Sequence, residues 1–357
     1  MLHVVSAGIV SFALALSSLP LFEQARRPLT RVTAPAQIES LSARACVPCH
    51  EQIYQQWLGS RHAQSATNRI FAASFRREPR RWCVYCHAPL PAQDAALGDT
   101  RLMRRGIAPI VDEGVNCAVC HIRDGAILTA RPPAAAAKRA HPMRLVTELA
   151  QSSFCGGCHQ FNFPRDGLPI RYTAQPMQDT LAEWRRTASP QRCQDCHMPV
   201  SDANWFVYPE QGGLTRDYAV LHNHTMPGAS DENLLQNSVT MTSTAERTGD
   251  QLEVDVSITN DRAGHHVPTD APMRSLILVV EAVDAAGQTL SLTAGPVNPD
   301  YSGDYSGVAG KTFAKILKDD WTGESPTAAF WRPVTIVEDT RLPALATDTT
   351  HYTFNAP

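Results

Sequence analysis

The chain has 357 residues, a formal net charge of −3, 10 cysteines and 13 histidines. This length allows two or three domains, and the near-neutral charge excludes a strongly basic nucleic-acid binder. The charge is unevenly distributed. Residues 1–230 carry 24 Lys and Arg against 17 Asp and Glu, whereas residues 231–357 carry 8 against 18. Because the two parts have opposite net charge, we expect them to contact one another.

The first segment, residues 1–25, is predicted to be an export signal or an N-terminal anchor. Residues 4–22 are mostly apolar, and Arg26 and Arg27 follow them. Pro20 and several serines interrupt the apolar run, which disfavours a spanning helix. The residues before the run lack Lys and Arg, which disfavours a standard signal. Both alternatives therefore stay open.

Five Cys-x-x-Cys-His motifs follow, and together they use every cysteine in the chain. Their residues are Cys46, Cys49 and His50; Cys83, Cys86 and His87; Cys117, Cys120 and His121; Cys155, Cys158 and His159; and Cys193, Cys196 and His197. A Cys-x-x-Cys pair by itself also fits a thioredoxin-like motif or half of a zinc site. With histidine after all five pairs, the pattern is that of c-type haem attachment.

This spacing suits the chemistry of a covalently bound haem. Two cysteines on neighbouring positions of one turn form thioethers with the two vinyl groups, and the adjacent histidine supplies the proximal iron ligand. The sequence therefore predicts five haem c groups. Since c-type haem is attached outside the cytoplasm, we expect a periplasmic or extracellular protein.

Residues 40–230, which contain the motifs, show little of the regular apolar periodicity that predicts a packed core. Successive motifs begin 37, 34, 38 and 38 residues apart, as a loose repeat with one haem per unit. So few residues bury little apolar surface alone. We predict a multihaem cytochrome c fold of short helices and loops around stacked haems. Helices should follow several motifs, as in "EQIYQQWL" after His50, and "QDTLAEWRR" before Cys193 should also be helical. "ARPPAAAAKRAHP" is predicted to be a connecting loop or a short helix.

Residues 235–357 follow a different pattern. "QLEVDVSI" alternates apolar and polar residues, and "SLILVVEAV", "TLSLTA", "PVTIVED" and "THYTF" also read as strands. "DAAGQ" is predicted to be a hairpin turn. Strands separated by Gly, Pro, Asn and Asp predict an antiparallel β-sandwich domain. The chain ends at "FNAP" directly after a predicted strand, so we expect the sandwich to be truncated at its C-terminus.

The motif region resembles a known multihaem family. "CVPCHEQIYQQWLGSRHA", "FCGGCHQF" and "EWRRTASPQRCQDCHMP" are similar to segments of the group that includes the tetrahaem electron carrier that partners hydroxylamine oxidoreductase. The resemblance covers roughly residues 45–228. Five motifs depart from the four haems of that carrier, so its haem arrangement does not transfer site by site. "NDRAGHHVPTDAPMRSL" and "WRPVTIVEDTRLP" resemble the C-terminal β-domain of some larger multihaem cytochromes.

Further histidines are candidates for the distal side of each iron. The residues are His62, which the family motif carries, and His141, His222, His224 and His265, with His266 as the alternative to His265. Six candidates for five irons predict two histidines on every iron. A helix over residues 50–62 would be about 18 Å long, so His62 should serve a haem other than that of His50. We expect Met198 and Met226 to pack against porphyrin.

A chain of haems with two histidines each indicates single-electron transfer. We therefore expect an electron carrier rather than an enzyme. Its partners would be redox donors and acceptors, including a membrane electron-transfer complex. Two alternatives remain: a nitrogen-oxide or hydroxylamine oxidoreductase with one open haem, and a subunit of an extracellular cytochrome filament. The first requires a vacant iron position, and the second requires a homo-oligomer in which one subunit ligates a haem of the next.

Overall fold

The computed structural model describes residues 31–98, 109–133, 138, 140–165, 171–201, 205–207, 214–215 and 221–357. The predicted export signal or anchor lies outside these residues, and so does part of "ARPPAAAAKRAHP". In the portion of the chain that is described, no helix is both long enough and apolar enough to cross a membrane.

Short helices make up much of the motif region. The α-helices span Val47–Leu58, Arg69–Arg77, Arg81–His87, Pro91–Gly98, Pro109–Asp112, Cys117–His121, Ser152–His159, Thr180–Arg186, Cys193–His197 and Glu232–Gln236. Short 3-10 helices span Ala43–Cys46, Thr147–Ala150 and Asp300–Tyr305. The helices predicted after His50 and before Cys193 are therefore confirmed. Trp57, on the first of them, is 4% exposed and donates a hydrogen bond to the Val115 carbonyl, 2.8 Å away.

The position of most helices relative to the motifs differs from the prediction. We expected helices to follow the motifs, but four of the five motif helices contain their motif and end at its histidine. Two of these ends have a local cause. Ala88 and Met198 each precede a proline, which disfavours helical backbone at the preceding residue, and both have ψ near 65°. The first motif differs because its helix continues to Leu58 across a kink at His50.

Short strands connect the helices of this region. They are β1 (Ile122–Arg123), β2 (Ala126–Thr129), β3 (Met143–Leu145), β4 (Phe161–Arg165), β5 (Arg171–Gln178), β6 (Trp205–Val207) and β7 (Leu214–Thr215). β1 and β2 form an antiparallel hairpin, and β3 adds to β2 in parallel. β4 pairs with β5, and β6 pairs with β7, both antiparallel. The strands are too short for an independent core, which agrees with a region built around bound cofactors.

The C-terminal part forms two antiparallel sheets. Its strands are β8 (Thr240–Thr248), β9 (Gln251–Thr259), β10 (Ser275–Val279), β11 (Leu292–Ala294), β12 (Gly310–Asp319), β13 (Val334–Asp339) and β14 (Thr347–Asn355). One sheet has the order β10-β12-β13 and the other has the order β11-β14-β9-β8. Side chains of both sheets, among them Ile258, Phe313 and Tyr352, form one apolar cluster. The predicted antiparallel β-sandwich is confirmed.

Two strands of the sandwich, β8 and β12, were not predicted from the sequence, and the reasons are opposite. β8 is an edge strand whose residues are nearly all exposed, so it lacks apolar alternation. β12 lies in the middle of its sheet and is buried on both faces, so its residues do not alternate either. Lys315 on β12 is 3% exposed and donates a hydrogen bond to the Pro176 carbonyl, 3.2 Å away. The five other strands lie where the sequence predicted them.

The sandwich packs directly against the motif region. Phe163 on β4 and Met177 on β5 form an apolar cluster with Leu317 on β12 and Val334 on β13. All four side chains are at most 4% exposed. Burial of this shared cluster stabilises the contact through the hydrophobic effect, which is not directional. The direction of approach must therefore come from polar contacts.

Two ion pairs across the interface, of which one is buried, have the reverse of the expected sign. Glu183, on the helix Thr180–Arg186, is 1% exposed and receives a hydrogen bond from Arg341 of the sandwich at 2.8 Å. Arg332 of the sandwich likewise lies 3.3 Å from Glu78 of the motif region. The opposite net charges of the two parts correctly predicted contact between them. At these two sites, however, the acidic part provides the cation and the basic part provides the anion.

We predict that Arg341→Met destabilises the protein. Glu183 would keep hydrogen bonds from the His266 backbone N–H and the Thr269 hydroxyl, but it would lose its buried counter-charge. Breaking such a pair costs about 3–5 kcal/mol. Denaturant unfolding followed by circular dichroism measures the change.

Arg262→Met is the matched control. The Arg262 side chain is 52% exposed and lies 4.0 Å from Asp261, so its loss should cost less than about 1 kcal/mol. Equal destabilisation by the two variants would contradict a structural role for the buried pair.

Candidate haem-ligating sites

The motif helices place each cysteine pair on one face. Positions i and i+3 of a helical turn are neighbours, so the two thiols of a motif point to the same side. The histidine follows at the end of the turn, where the helix stops in four of the five motifs. All ten thiols are free and partly buried. The local fold thus presents two thiols and one imidazole to a common space, as covalent haem attachment requires.

Contacts between thiols show which motifs are neighbours. Cys46 of the first motif is hydrogen-bonded to Cys117 of the third. Cys158 of the fourth motif is hydrogen-bonded to Cys86 of the second, and its neighbour Cys155 is hydrogen-bonded to Cys193 of the fifth. The fourth motif therefore lies beside both the second and the fifth. Motif order along the chain is not motif order in space.

Four proximal histidines have their Nδ1 atoms engaged by acceptors. Nδ1 of His87 lies 2.8 Å from the Ser65 carbonyl, that of His121 lies 3.1 Å from the Leu128 carbonyl, and that of His197 lies 2.7 Å from the Pro227 carbonyl. Nδ1 of His159 instead lies 3.0 Å from Oδ1 of Asp270. These acceptors favour a proton on Nδ1, which leaves the lone pair of Nε2 for a metal.

Three pairs of histidine rings have one common separation. The ring centres lie 6.2 Å apart for His62 and His159, for His121 and His224, and for His197 and His265. Two imidazoles bound to one metal atom from opposite sides, with metal–nitrogen bonds of about 2.0 Å, have ring centres about 6.3 Å apart. Each pair joins one motif histidine to one predicted distal histidine. The residues therefore fit a haem iron between the two rings.

His62 reaches a haem of another motif, as the sequence predicted, but not because it ends a helix. The helix stops at Leu58, and a series of turns carries His62 to the fourth motif, opposite His159. Burial and the neighbouring His159 lower the pKa of His62 to about 4. His62 is therefore neutral at pH 7, as an iron ligand must be. Its Nδ1 contacts Met226 Sδ, so this methionine lies against the imidazole of His62.

His224 faces the third motif from a segment far along the chain. Its backbone N–H donates a hydrogen bond to Oε1 of Gln56, which lies on the helix of the first motif, at 3.0 Å. Burial and the neighbouring His121 lower its pKa to about 3, with a smaller effect of His50 in the same direction. His224 therefore lies in a buried group of histidines that belong to the first and third motifs.

Among the described residues, neither His222 nor His141 has a histidine ring partner at the separation found in the three pairs. Nδ1 of His222 contacts the carbonyl of Met198, so its Nε2 is available as in the motif histidines. His141 precedes β3, and its Nδ1 is buried with no hydrogen-bond partner. Burial also lowers the pKa of His141. Both residues remain candidates for the distal position of an iron.

The sandwich contributes directly to the candidate sites. His265 lies in a loop between β9 and β10, and Asn260, which is fully buried, donates a hydrogen bond to its carbonyl at 2.8 Å. Its ring is nearly parallel to that of His197, with an interplanar angle of 14°. The adjacent His266 instead packs beside Glu183, 3.6 Å from Oε1. Of the two histidines that the sequence left as alternatives, His265 is the one that faces a motif histidine.

Asp270 is the residue at these sites that sequence reasoning missed. It follows His265 by five residues in the same loop, and its carboxylate meets His159 of the fourth motif. Burial lowers the pKa of His159, but Asp270 outweighs burial and raises it to about 9. An iron bound at Nε2 would displace the proton on that atom and leave the Nδ1 proton on the hydrogen bond to Asp270. An acidic residue shortly after two histidines in a loop was the available signal. It is weak, because the partner lies 111 positions away in the chain.

Comparisons with known proteins agree with this geometry. Residues 45–122 match the family described as cytochrome c554 and c-prime. The fold is similar to that of a penta-haem cytochrome c552 from Thermochromatium tepidum, with a TM-score of 0.64 and 25% sequence identity. That likeness covers 88% of this chain and 87% of the other. Curated protein sequences provide no match to the chain.

Four observations agree on the cofactor and its role. They are the motif helices, the paired histidines, the match to a cytochrome family and the likeness to a multihaem structure. They support haem c as the bound group and electron transfer as the role. The chain is a multihaem c-type cytochrome.

Proposed function

We propose that this protein transfers single electrons along five covalently bound haems outside the cytoplasm. The observation that carries the proposal is the common 6.2 Å separation in three pairs of histidine rings. In each pair, one ring belongs to a haem-attachment motif and the other to a distant segment. Five complete motifs support five haems, and covalent attachment of haem c supports an exported protein.

The placement of three candidate histidines supports an assignment of distal ligands, and the other two candidates are assigned by elimination. The ten motif cysteines would hold the haems as thioethers, and the five motif histidines would be proximal ligands. His62 would be the distal ligand of the fourth haem, His224 of the third and His265 of the fifth. His141 and His222 would serve the haems of the first and second motifs.

The protein residues would keep each iron suited to electron transfer. The haem supplies a one-electron couple when it is bound. Burial keeps His62 and His224 neutral, so both can ligate at neutral pH. Hydrogen bonds from Nδ1 hold the motif rings in place, so that ligand geometry changes little between redox states. Two histidines on one iron also leave no position for a substrate, which favours a carrier over an enzyme.

Contacts between motifs indicate a route for the electrons. The first motif lies beside the third, and the fourth lies beside the second and the fifth. Burial raises the pKa of the Cys120 thiol, and the neighbouring Cys158 thiol raises it further. Because Cys120 and Cys158 are neighbours, the third and fourth motifs are close to one another as well. The proposed haems therefore form one continuous cluster. Electrons would enter and leave through contacts with other redox proteins, including a membrane electron-transfer complex.

Intact mass spectrometry tests the number of haems. We predict that the mature protein carries five haem additions, because each motif contains both thiols and the histidine. A Cys193→Ser, Cys196→Ser double variant should carry four. A mature protein with four additions or fewer would contradict the proposed count.

Spin state tests the distal ligands. We predict that the oxidised protein gives low-spin paramagnetic resonance signals, and that carbon monoxide does not shift the Soret band of the reduced protein. His62→Ala should open the fourth iron and produce a high-spin signal with carbon monoxide binding. His351→Ala is the matched control, since His351 is exposed on β14 and its Nδ1 lies 2.9 Å from Asp255.

Two results would contradict this assignment. A high-spin haem in the unmutated protein would favour the oxidoreductase. Low-spin signals that arise only in oligomers would favour the filament, with a distal histidine donated by the next subunit.

The angles between paired rings predict distinct signals. Parallel imidazole planes act on the same iron d orbital and give a rhombic signal, whereas perpendicular planes leave two d orbitals nearly equal and give a highly anisotropic signal. The planes are 14° apart for His197 and His265, 38° for His121 and His224, and 79° for His62 and His159. Of the three pairs, only His62 and His159 are near perpendicular, so we expect a highly anisotropic signal from the fourth haem. It should disappear in His62→Ala and persist in His351→Ala.

A further inference from the structure

The proximal histidine of the fourth motif is held differently from those of the second, third and fifth motifs. Nδ1 of His87, His121 and His197 meets a backbone carbonyl, which is neutral. Nδ1 of His159 meets the carboxylate of Asp270 at 3.0 Å, which carries a full negative charge. The contrast arises within one chain and among residues of the same proposed role.

Asp270 lies in the sandwich loop between β9 and β10, which the motif region also contacts through hydrogen bonds from Thr269 to Glu183 and between Thr269 and Thr180. It has a φ of 73°, a left-handed conformation that Asp and Asn tolerate better than most residues. Oδ1 faces His159, while Oδ2 lies 3.7 Å from Arg274, whose side chain is 42% exposed. Because Arg274 is partly in solvent, it offsets the negative charge of Asp270 only in part.

A carboxylate acceptor changes the donor strength of the imidazole. A hydrogen bond from Nδ1–H to an ionised group is roughly twice as strong as one to a neutral group and moves electron density onto the ring. The ring then binds a metal more strongly through Nε2. A stronger donor stabilises the more positive, oxidised iron and therefore lowers the reduction potential.

We propose that Asp270 is a positioning residue that lowers the reduction potential of the fourth haem relative to those whose proximal histidines meet backbone carbonyls. This inference rests on the proposed function, in which His159 and His62 ligate that haem. The fourth motif lies beside the second and the fifth, so its haem would be a low-potential site within the cluster. Electrons that cross it would do so uphill, which makes this haem a point of control over transfer between its neighbours.

Asp270→Asn tests the proposal in the full-length holoprotein. Asn tolerates the same φ and keeps a side-chain oxygen that can accept from His159, so the variant removes the charge and retains the geometry. Potentiometry monitored by paramagnetic resonance follows each haem separately. The highly anisotropic signal of the fourth haem should shift to a more positive potential, and the other signals should not move.

Asp179→Asn is the matched control. Asp179 accepts a hydrogen bond from Gln160, the residue after His159, at 2.8 Å, and it does not contact the imidazole. Removal of the Asp179 charge would act on the haem only by long-range electrostatics. The reduction potential of the fourth haem should therefore shift less than in Asp270→Asn. An equal shift in both variants would overturn a role through the ligand.

The remaining outcomes separate this proposal from the proposed function. If all haems are present in Asp270→Asn and the reduction potential of the anisotropic signal is unchanged, the role of Asp270 is overturned. The proposed electron transfer would be unaffected by that result. A high-spin fourth haem in that variant would show that Asp270 merely holds the ligand in place, and would also overturn it. Absence of the anisotropic signal in the unmutated protein would contradict the proposed ligand pair itself.

Discussion

The structure depends on one constraint, which is the separation between paired imidazole rings. Their centres lie as far apart as two rings that bind one metal atom from opposite sides. In each of the three pairs, a ring comes from a Cys-x-x-Cys-His motif and its partner comes from elsewhere in the chain. His62 precedes its partner by about a hundred residues, and His224 follows its partner by a similar distance. The proposed coordination by both rings would therefore close long loops, a role that disulfides or a large apolar core would otherwise fill.

The sandwich belongs to the same arrangement. Its loop between β9 and β10 brings His265 to the fifth motif and Asp270 to the fourth. The buried Glu183–Arg341 pair and the shared cluster around Phe163 hold the sandwich in the orientation that this loop requires. The buried pair demands a fixed geometry, whereas apolar packing tolerates rotation. The strand-rich part is thus a structural support for two of the candidate haem sites.

Charge acts at two scales in this molecule. The opposite net charges of the motif region and the sandwich favour their approach, but long-range attraction does not choose individual contacts. At short range, Arg341 and Arg332 of the acidic part meet Glu183 and Glu78 of the basic part. Which individual groups pair depends on the fold and not on the average composition.

The sequence by itself determined where the five Cys-x-x-Cys-His motifs lie and thereby predicted the haem-attachment residues, since a motif of five positions is a local feature. Alternation also determined most strands of the sandwich, because each has one buried face. Only the tertiary structure decided which distal histidine faces which motif, that the fourth motif adjoins the second and fifth, and that Asp270 holds His159. It also revealed β12, whose two buried faces leave no alternation. These features join residues tens to more than a hundred positions apart, and no local pattern records how the chain brings them together.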